Sequence, residues 1–569
     1  MKNTIEILAP IKEPYDISVA KDTECHGFYV DHDYFIHNGF ECIKEFKYHA
    51  KKFGVKFYIN FKHTIDEWEV NNIRKIITYL SLSPIDGILV NSFALLEMLT
   101  EYPALPFKII IDSALNIHNL AAMDFIKSFK LVEGINITEE IYTKNISTLK
   151  KYTHQKFAIN SDNIPWCIGD IKKTKAVNLI IIKADFDTKE ELKEGIELVR
   201  NIIDKPKFHR NQKLPFKQPK VTAYETNHFT GRFINEKGNE FSFSGNIKKY
   251  DRSYSLVKIS KDIDISKIKL PRLNLRLTGL EQIKSLKTFI SKYNFNPVYS
   301  IEYGEIVSTA DLSKNSFNEI LEKIKLFCLE YGIKLQISTP RVLIERDFER
   351  VYEYVKMLCL QDPIPSALVA NNIGFWWTVI NDPDYENIPI EIGNGISLLS
   401  SLSIKCLARK HPIEAVDLST FKKFSAIKSC ADHIKEIIPT RKLTVGGSIR
   451  IPASGLCPLN SNPAILSRLS CPAPCHHGNY AVFDPDLQKP FPLCVDGFCR
   501  MHLFDTQILD VFRFVPLLEE AGVNEFVIDF TALDAKLVTV LLTRFINALA
   551  QNSAYKTDIN FKNSYYNLK

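Results

Sequence analysis

Short apolar, β-branched runs alternate over the first 205 residues with segments whose apolar positions recur every three or four residues. The first pattern predicts buried strands and the second amphipathic helices. Strands are predicted at 5–11, 27–31, 56–61, 87–90, 107–112, 130–134, 156–160 and 177–184. Helices between them include 40–54, 69–81, 92–102, 119–129 and 189–203. Eight strand–helix alternations predict a (β/α)8 barrel of the TIM type.

The same pattern returns from about residue 270. The stretch 332–339 (GIKLQIST) echoes 54–61 (GVKFYINF), 365–394 echoes 86–113, and 414–430 echoes 130–151. Matched loop lengths read as an internal duplication rather than two unrelated barrels. The expected class is α/β, with two tandem TIM-type barrels and a small β insert between them. Residues 1–205 form the first barrel and 269–551 the second, with a polar tail at 552–569. The insert, 206–268, opens with KPKFHRNQKLPFKQPK, which is basic and proline-bearing and so extended. It goes on with alternating segments that predict a hairpin around Lys237-Gly238. The basic stretch permits contact with RNA; the plainer reading is a solvated linker.

The copies differ in one place. Between the seventh and eighth strands the first copy spends about 15 residues (161–175), with Cys167 alone, whereas the second spends about 70 (451–524). That insertion leaves the C-terminal end of a strand, the rim where barrel active sites are built. It is rich in turn-forming residues, as a ligand-presenting loop would be.

Composition adds little until the cysteines are counted. With 45% hydrophobic and 24% charged residues and a formal charge of +6, the chain reads as an ordinary globular protein without a strong pull to nucleic acid. No export signal and no apolar run near 18 residues are seen, so a cytoplasmic protein without membrane insertion is expected. Five of the twelve cysteines, Cys457, Cys471, Cys475, Cys494 and Cys499, fall inside the insertion. In a reducing compartment such a cluster points to metal or redox chemistry rather than disulfides. Four thiolates suit an iron–sulfur cluster, with Cys457, Cys471 and Cys475 as three ligands and Cys494 or Cys499 as the fourth. Zinc is the alternative, since His476, His477 and His502 lie near and Cys3His is a common zinc set. The bland reading is five buried small hydrophobes.

Other candidates are weaker. Gly446-Gly447 after a strand could cradle an anion, with a tight strand end as the default. Trp376-Trp377 reads as packing. Asp496, Arg500 and Asp529 near the cysteine region could be catalytic or structural. Cys25, Cys42, Cys328, Cys359, Cys406 and Cys430 read as core.

The cysteine region carries a resemblance. It runs Ser454-Gly455-Leu456-Cys457-Pro458-Leu459-Asn460, then Ser470-Cys471-Pro472-Ala473-Pro474-Cys475, then Cys494-Val495-Asp496-Gly497-Phe498-Cys499-Arg500, then Glu525-Phe526-Val527-Ile528-Asp529-Phe530. This order resembles that of the peptidase U-32 (collagenase-like) family, and residues 7–14 resemble its start. The resemblance covers both barrels as architecture and about 450–530 by motif. It implies a barrel that holds a [4Fe–4S] cluster, through Cys457, Cys471, Cys475 and Cys499, with Cys494 the alternative fourth ligand. Cys499 is favoured because Cys-Arg resembles the family's strand start. It implies an oxygen-independent hydroxylase or related redox enzyme, acting on a quinone precursor, an RNA base or a peptide, with Arg500 and Asp529 near the substrate. A peptidase is the alternative that the family name suggests, and a non-catalytic metal-stabilised partner subunit is the third. The implied partners are a related U-32 subunit or an electron donor. The chain departs from the family pattern at Leu456, where the family has arginine, at Asn460, where it has serine, and at Val527–Thr531, which lacks the basic residues of the family's strand.

Overall fold

A computed structural model gives the fold. It describes residues 5–61, 65–102, 104–112, 115, 117–137, 156–160, 177–184, 186–204, 228–234, 240–249, 268–306, 314–360, 362–421, 423–454, 480–484, 489–550 and 561–562. Cys457, Cys471 and Cys475, the hairpin turn at Lys237-Gly238, His476, His477, Cys167 and the tail 552–560 and 563–569 lie outside them.

The contacts divide the chain into two compact units, the first built on residues 1–220 and the second on 240–343 and 347–569. The first unit is a closed parallel barrel of β1 (Glu6–Pro10), β2 (Gly27–Asp31), β3 (Lys56–Phe61), β4 (Gly87–Val90), β5 (Lys108–Ile111), β6 (Val132–Asn136), β7 (Lys156–Asn160) and β8 (Val177–Ile181). Each strand pairs with the next, and β8 returns to β1. The sixth strand begins two residues later than the pattern predicted, because Phe129 accepts the amide of Val132 in a turn that occupies the expected start. Strand parity fills the inside of this barrel with Leu8, Tyr29, Tyr58, Leu89, Ile110, Ala158, Leu179 and Ile181. That layer is an ordinary apolar plug.

The second unit holds β9 (His228–Ile234) and β10 (Glu240–Lys249), an antiparallel pair. A second barrel follows. Its strands are β11 (Arg272–Leu277), β12 (Ser300–Tyr303), β13 (Lys334–Ser338), β14 (Ala367–Ala370), β15 (Ile390–Ile392), β16 (Ala415–Asp417) and β17 (Thr440–Ser454), and after three antiparallel strands the eighth, β21. The three are β18 (Tyr480–Asp484), β19 (Lys489–Val495) and β20 (Met501–Asp510); β21 is Glu525–Asp529. Pairing of β16 with β17 and of β21 with both β17 and β11 closes the ring. The chain is therefore an α/β protein with two (β/α)8 barrels.

The turn-rich stretches 455–463 and 471–479 of the insertion at 451–524 lie outside the described residues. The described part of the insertion is sheet. β17 runs on past the barrel and pairs antiparallel with β20 from Gly446↔Asp510 to Ser454↔Met501. At Gly446 it also pairs with Ile528 of β21, so β20 takes the edge that β16 occupies lower down. β19 and β18 extend this sheet, and β10 adds to β18. The β insert is thus part of the second unit's sheet. Val482, Phe491, Leu493, Met501 and Leu503 pack into a small core on it.

Gly447 makes the exit from the barrel. Its φ is 97°, and a Cβ there would lie 2.0 Å from the Asp529 carbonyl oxygen. Gly446-Gly447 is therefore a strand bend pressed on β21. Replacing Gly447 by Ala would meet both positive φ and backbone, so destabilisation of the second unit by about 2–4 kcal/mol is expected. Denaturant midpoints of parent and Gly447→Ala check it, and an unchanged midpoint contradicts the close packing.

Candidate functional site

Several strands of the second barrel alternate apolar with polar or charged positions, as Arg272-Leu-Asn-Leu-Arg-Leu in β11 and Lys334-Leu-Gln-Ile-Ser in β13, and β21 carries charges at both ends, Glu525 and Asp529. The apolar set faces the helices, and the polar set turns into the barrel. Two charged layers result.

In the lower layer Lys442 donates to Gln336 Oε1 at 2.9 Å and pairs with Glu525 at 3.1 Å and with Glu391. Asn274 Nδ2 reaches Gln336 at 2.7 Å. All are buried. Burial raises the Glu391 carboxyl, neighbouring Glu525 adds to the rise, and the shared Lys442 offsets it only in part, which leaves it at about 7.

The upper layer sits at the C-terminal strand ends. Arg276 grips Glu302 with two bonds of 2.9 and 3.0 Å, Asp529 at 3.1 Å and Asp417 at 3.4 Å. Arg450, on β17 past the bend, reaches the same Asp529 Oδ2 at 3.0 Å, Thr531 at 2.9 Å and Glu305. Arg341, in the loop after β13, donates to Glu305 at 2.7 Å and to Asn394. Burial alone would raise Glu305 and Asp529. For Glu305 the charges of Arg341, Arg450 and Arg276 outweigh it, and for Asp529 those of Arg450 and Arg276, so both carboxyls stand below the usual carboxylate range. Glu305 Oε2 is buried and accepts no hydrogen bond.

A third group lies at the β19–β20 hairpin. Asp496 accepts Arg500 Nε at 2.8 Å, and His502 Nε2 lies 3.1 Å away; its other oxygen takes the Phe498 and Arg500 amides at 2.9 and 3.0 Å. Arg500 lies over the Phe498 ring at 4.5 Å and donates to the Val342 carbonyl. Val342 follows Arg341, so one short loop touches both groups. Burial depresses His502, with Asp496 opposing it, and the imidazole stays neutral near pH 7.

The structure thus separates the two predicted catalytic candidates. Asp529 lies in the barrel mouth between two arginines, and Arg500 is a fully buried clamp of the hairpin. Cys499 occupies the positive-φ position of that hairpin at 60°, donating its amide to the Asp496 carbonyl at 2.8 Å. Cys494 pairs with His502 in register on β19. Both are half-buried and outside any disulfide. The segment with the other three cysteines leaves at Ser454, opposite Met501, and returns at Tyr480, opposite Leu493. Among the described residues no three His, Cys, Asp or Glu side chains gather as metal ligands. Cys25, Cys328 and Cys359 are buried thiols that desolvation pushes up to about 12, as core cysteines should be, while Cys42 is half-buried. Trp376 is core.

Arg276, Glu302, Glu305, Arg341, Asp417 and Arg450 were not singled out from the sequence. The available signal was the alternation of charged with apolar residues inside predicted barrel strands, where the first copy has Tyr58 and Ile110 against Gln336 and Glu391 of the second.

This architecture and rim define a TIM-type barrel protein with its charged mouth in the second barrel. Residues 37–160 match the model of peptidase family U32, which supports membership of that family. The match falls in the first barrel, not in the cysteine region where the sequence motifs were recognised. No curated protein matches the chain. Similar solved structures include orotidine 5′-monophosphate decarboxylase from Methanocaldococcus jannaschii, at 18% identity over 36% of this chain and 99% of that one, TM-score 0.26. The spore cortex-lytic enzyme SleL of Bacillus megaterium QM B1551 matches at 10% identity over 52% and 75%, TM-score 0.25. A Sinorhizobium meliloti chain described as an isomerase matches at 7% over 32% of this chain, which spans half, 50%, of that one, TM-score 0.25. At these scores the likenesses carry no functional argument. Among the described residues no helix is long and apolar enough to cross a membrane.

Two predictions follow from the electrostatics. Glu391 holds a raised pKa in the folded state, against about 4.3 unfolded. The native state therefore binds the extra proton between about pH 4 and 7, and stability falls as pH rises through that window, by about 3–4 kcal/mol in all. Glu391→Gln should flatten this part of the stability–pH curve and be at least as stable as the parent at pH 8; an unchanged slope refutes the assignment. Asp529 has the opposite sign, so its contribution is full above the ordinary carboxylate pKa and is lost as pH falls below it. Asp529→Asn leaves two buried arginines short of a partner and should cost about 3–5 kcal/mol at pH 7, read as a fall in the denaturant midpoint.

Proposed function

We propose that the second barrel is the catalytic half of an iron–sulfur, U32-related redox enzyme of the oxygen-independent hydroxylase type. The observation that carries the reading is the placement of the insertion. β17 supplies Arg450 to the barrel mouth and then forms the sheet that bears Cys494 and Cys499. Both ends of the segment with Cys457, Cys471 and Cys475 border the hairpin between β19 and β20. Cys457, Cys471 and Cys475 with Cys499, or Cys494 in its place, would hold a [4Fe–4S] cluster. The donor set fits, because all four are thiol side chains and the two described candidates for the fourth place, Cys499 and Cys494, are outside any disulfide. When bound, such a group would supply one-electron chemistry.

The protein's own groups position and exclude. Arg276 and Arg450 fix Asp529, and Arg341 and Arg450 fix Glu305, which leaves Glu305 Oε2 as an acceptor for a substrate hydroxyl or amine. Carboxylates held this far below neutrality are poor general bases. That favours the redox reading over peptide hydrolysis. A quinone precursor, an RNA base and a peptide stay as candidate substrates, with a related subunit or an electron donor as partner and the cytoplasm as the place of action.

Protein purified without oxygen should contain about four irons and four acid-labile sulfides per chain, with a broad brown absorbance that bleaches on reduction. Cys499→Ser should lower both, while Cys494→Ser should not if Cys499 is the fourth ligand. One zinc without sulfide overturns the reading and makes the cysteines a structural clip.

A further inference from the structure

A cavity of about 100 Å³ opens at the N-terminal end of the first barrel, beneath the apolar plug. Tyr58, Ile110, Ala158 and Leu179 of that plug form its apolar wall. The space is there because β6 sets Gly134 beside Ile110, at an inward position where any other residue would add a side chain. The rest of the wall is polar and comes from the strand starts: Glu6 on β1, Lys108 on β5, Glu133 on β6 and Asn178 on β8.

Two of these side chains are aimed by breaks in the strand ladder. β5 pairs Ile109 with Val132 and Ile110 with Gly134, so Glu133 is an extra residue on β6. β7 pairs Phe157 with Val177 and Ala158 with Leu179, so Asn178 is an extra residue on β8. Such bulges are rare in parallel ladders, and they turn a side chain away from the direction that strict alternation gives it. Both bulged residues line the same cavity. Closure of a ring does not require them. In the second barrel β15 pairs with β16 without a shift, and the shift between β17 and β21 falls on β17, at Val445.

The charges in the wall are uncommitted. Glu6 is tied to Lys56 at 2.6 Å. Lys108 and Glu133, by contrast, have no ion pair and no side-chain hydrogen bond among the described residues. The cavity thus offers one ammonium, one carboxylate and the Asn178 amide, which both donates and accepts, around an apolar surface. The complement of that wall is a small zwitterion with an apolar body. We propose that this cavity binds a free apolar α-amino acid, its carboxylate on Lys108, its ammonium on Glu133 and its side chain against Tyr58, Ile110 and Leu179. Barrel enzymes carry out their chemistry at the opposite, C-terminal end, so this is a binding site for an effector and not a second active site. It is independent of the cysteine-bearing half.

Titration calorimetry of the full chain with L-leucine, in a buffer free of other amino acids, tests it. Saturable one-site binding is expected, and it should weaken at least about tenfold in Lys108→Met and in Glu133→Gln. Both variants should keep the circular dichroism of the parent, because neither side chain has a partner to lose. Isocaproate, which lacks the ammonium, and isoamylamine, which lacks the carboxylate, should each bind at least about tenfold more weakly than L-leucine. No saturable heat with L-leucine up to about 30 mM overturns the proposal. Binding that is equally strong in both variants places the amino acid elsewhere on the chain, and isocaproate binding as tight as that of L-leucine means that Glu133 reads no ammonium; either result also overturns it. None of these outcomes bears on the iron content of the second barrel.

Discussion

Asp529 is the pivot of the second barrel. One oxygen of one carboxylate holds Arg276 from β11 and Arg450 from β17, at 3.1 and 3.0 Å. Its backbone carbonyl meanwhile lies against Gly447, where β17 turns out of the ring. Closure of the barrel, the direction of the extended strand and the charge state of the mouth therefore meet at one residue. Buried charges of this kind are costly to desolvate and are kept only where each is paired. Here the pairing is nearly complete, with Glu302, Asp417 and Glu305 completing the set around three arginines. The Glu305 oxygen that accepts nothing is the opening in an otherwise closed network.

The two barrels show one scaffold filled in two ways. The plug of the first is Leu8, Tyr29, Tyr58, Leu89 and Ile110; the second puts Asn274, Gln336, Glu391, Lys442 and Glu525 in its interior. An apolar interior gains stability from burial with no need of partners. A charged interior gains little net stability, since attraction between partners mostly offsets desolvation. What it provides is a set of groups with shifted titration, one carboxyl near neutrality below and two far from it above. The long insertion belongs to the copy with the charged interior.

Much of the architecture was legible. Strands such as 27–31, 56–61, 87–90 and 156–160 stand where period-two and β-branched runs predicted them, and the duplication followed from the echo of 54–61 at 332–339. The site was legible only as a neighbourhood. Asp529 and Arg500 were both singled out for their closeness to the cysteines, yet the first lies in the mouth and the second clamps a hairpin through Asp496 and Val342. Arg276, Glu302, Arg341 and Arg450 are spread over about 175 positions, and no local spacing relates them.

What the sequence by itself determined is the repeated βα pattern, the place of the insertion and the inventory of thiols, because strand and helix periodicities are local properties of the chain. The tertiary structure alone decided which charged residues meet, because the closed ring brings β21 beside both β11 and β17. It also decided that the described part of the insertion is sheet, because β20 pairs with the edge of the longer β17 that β16 leaves open. In the first barrel it sets Lys108, Glu133 and Asn178 around one cavity, a fact that rests on register shifts between neighbouring strands and not on any neighbour in sequence.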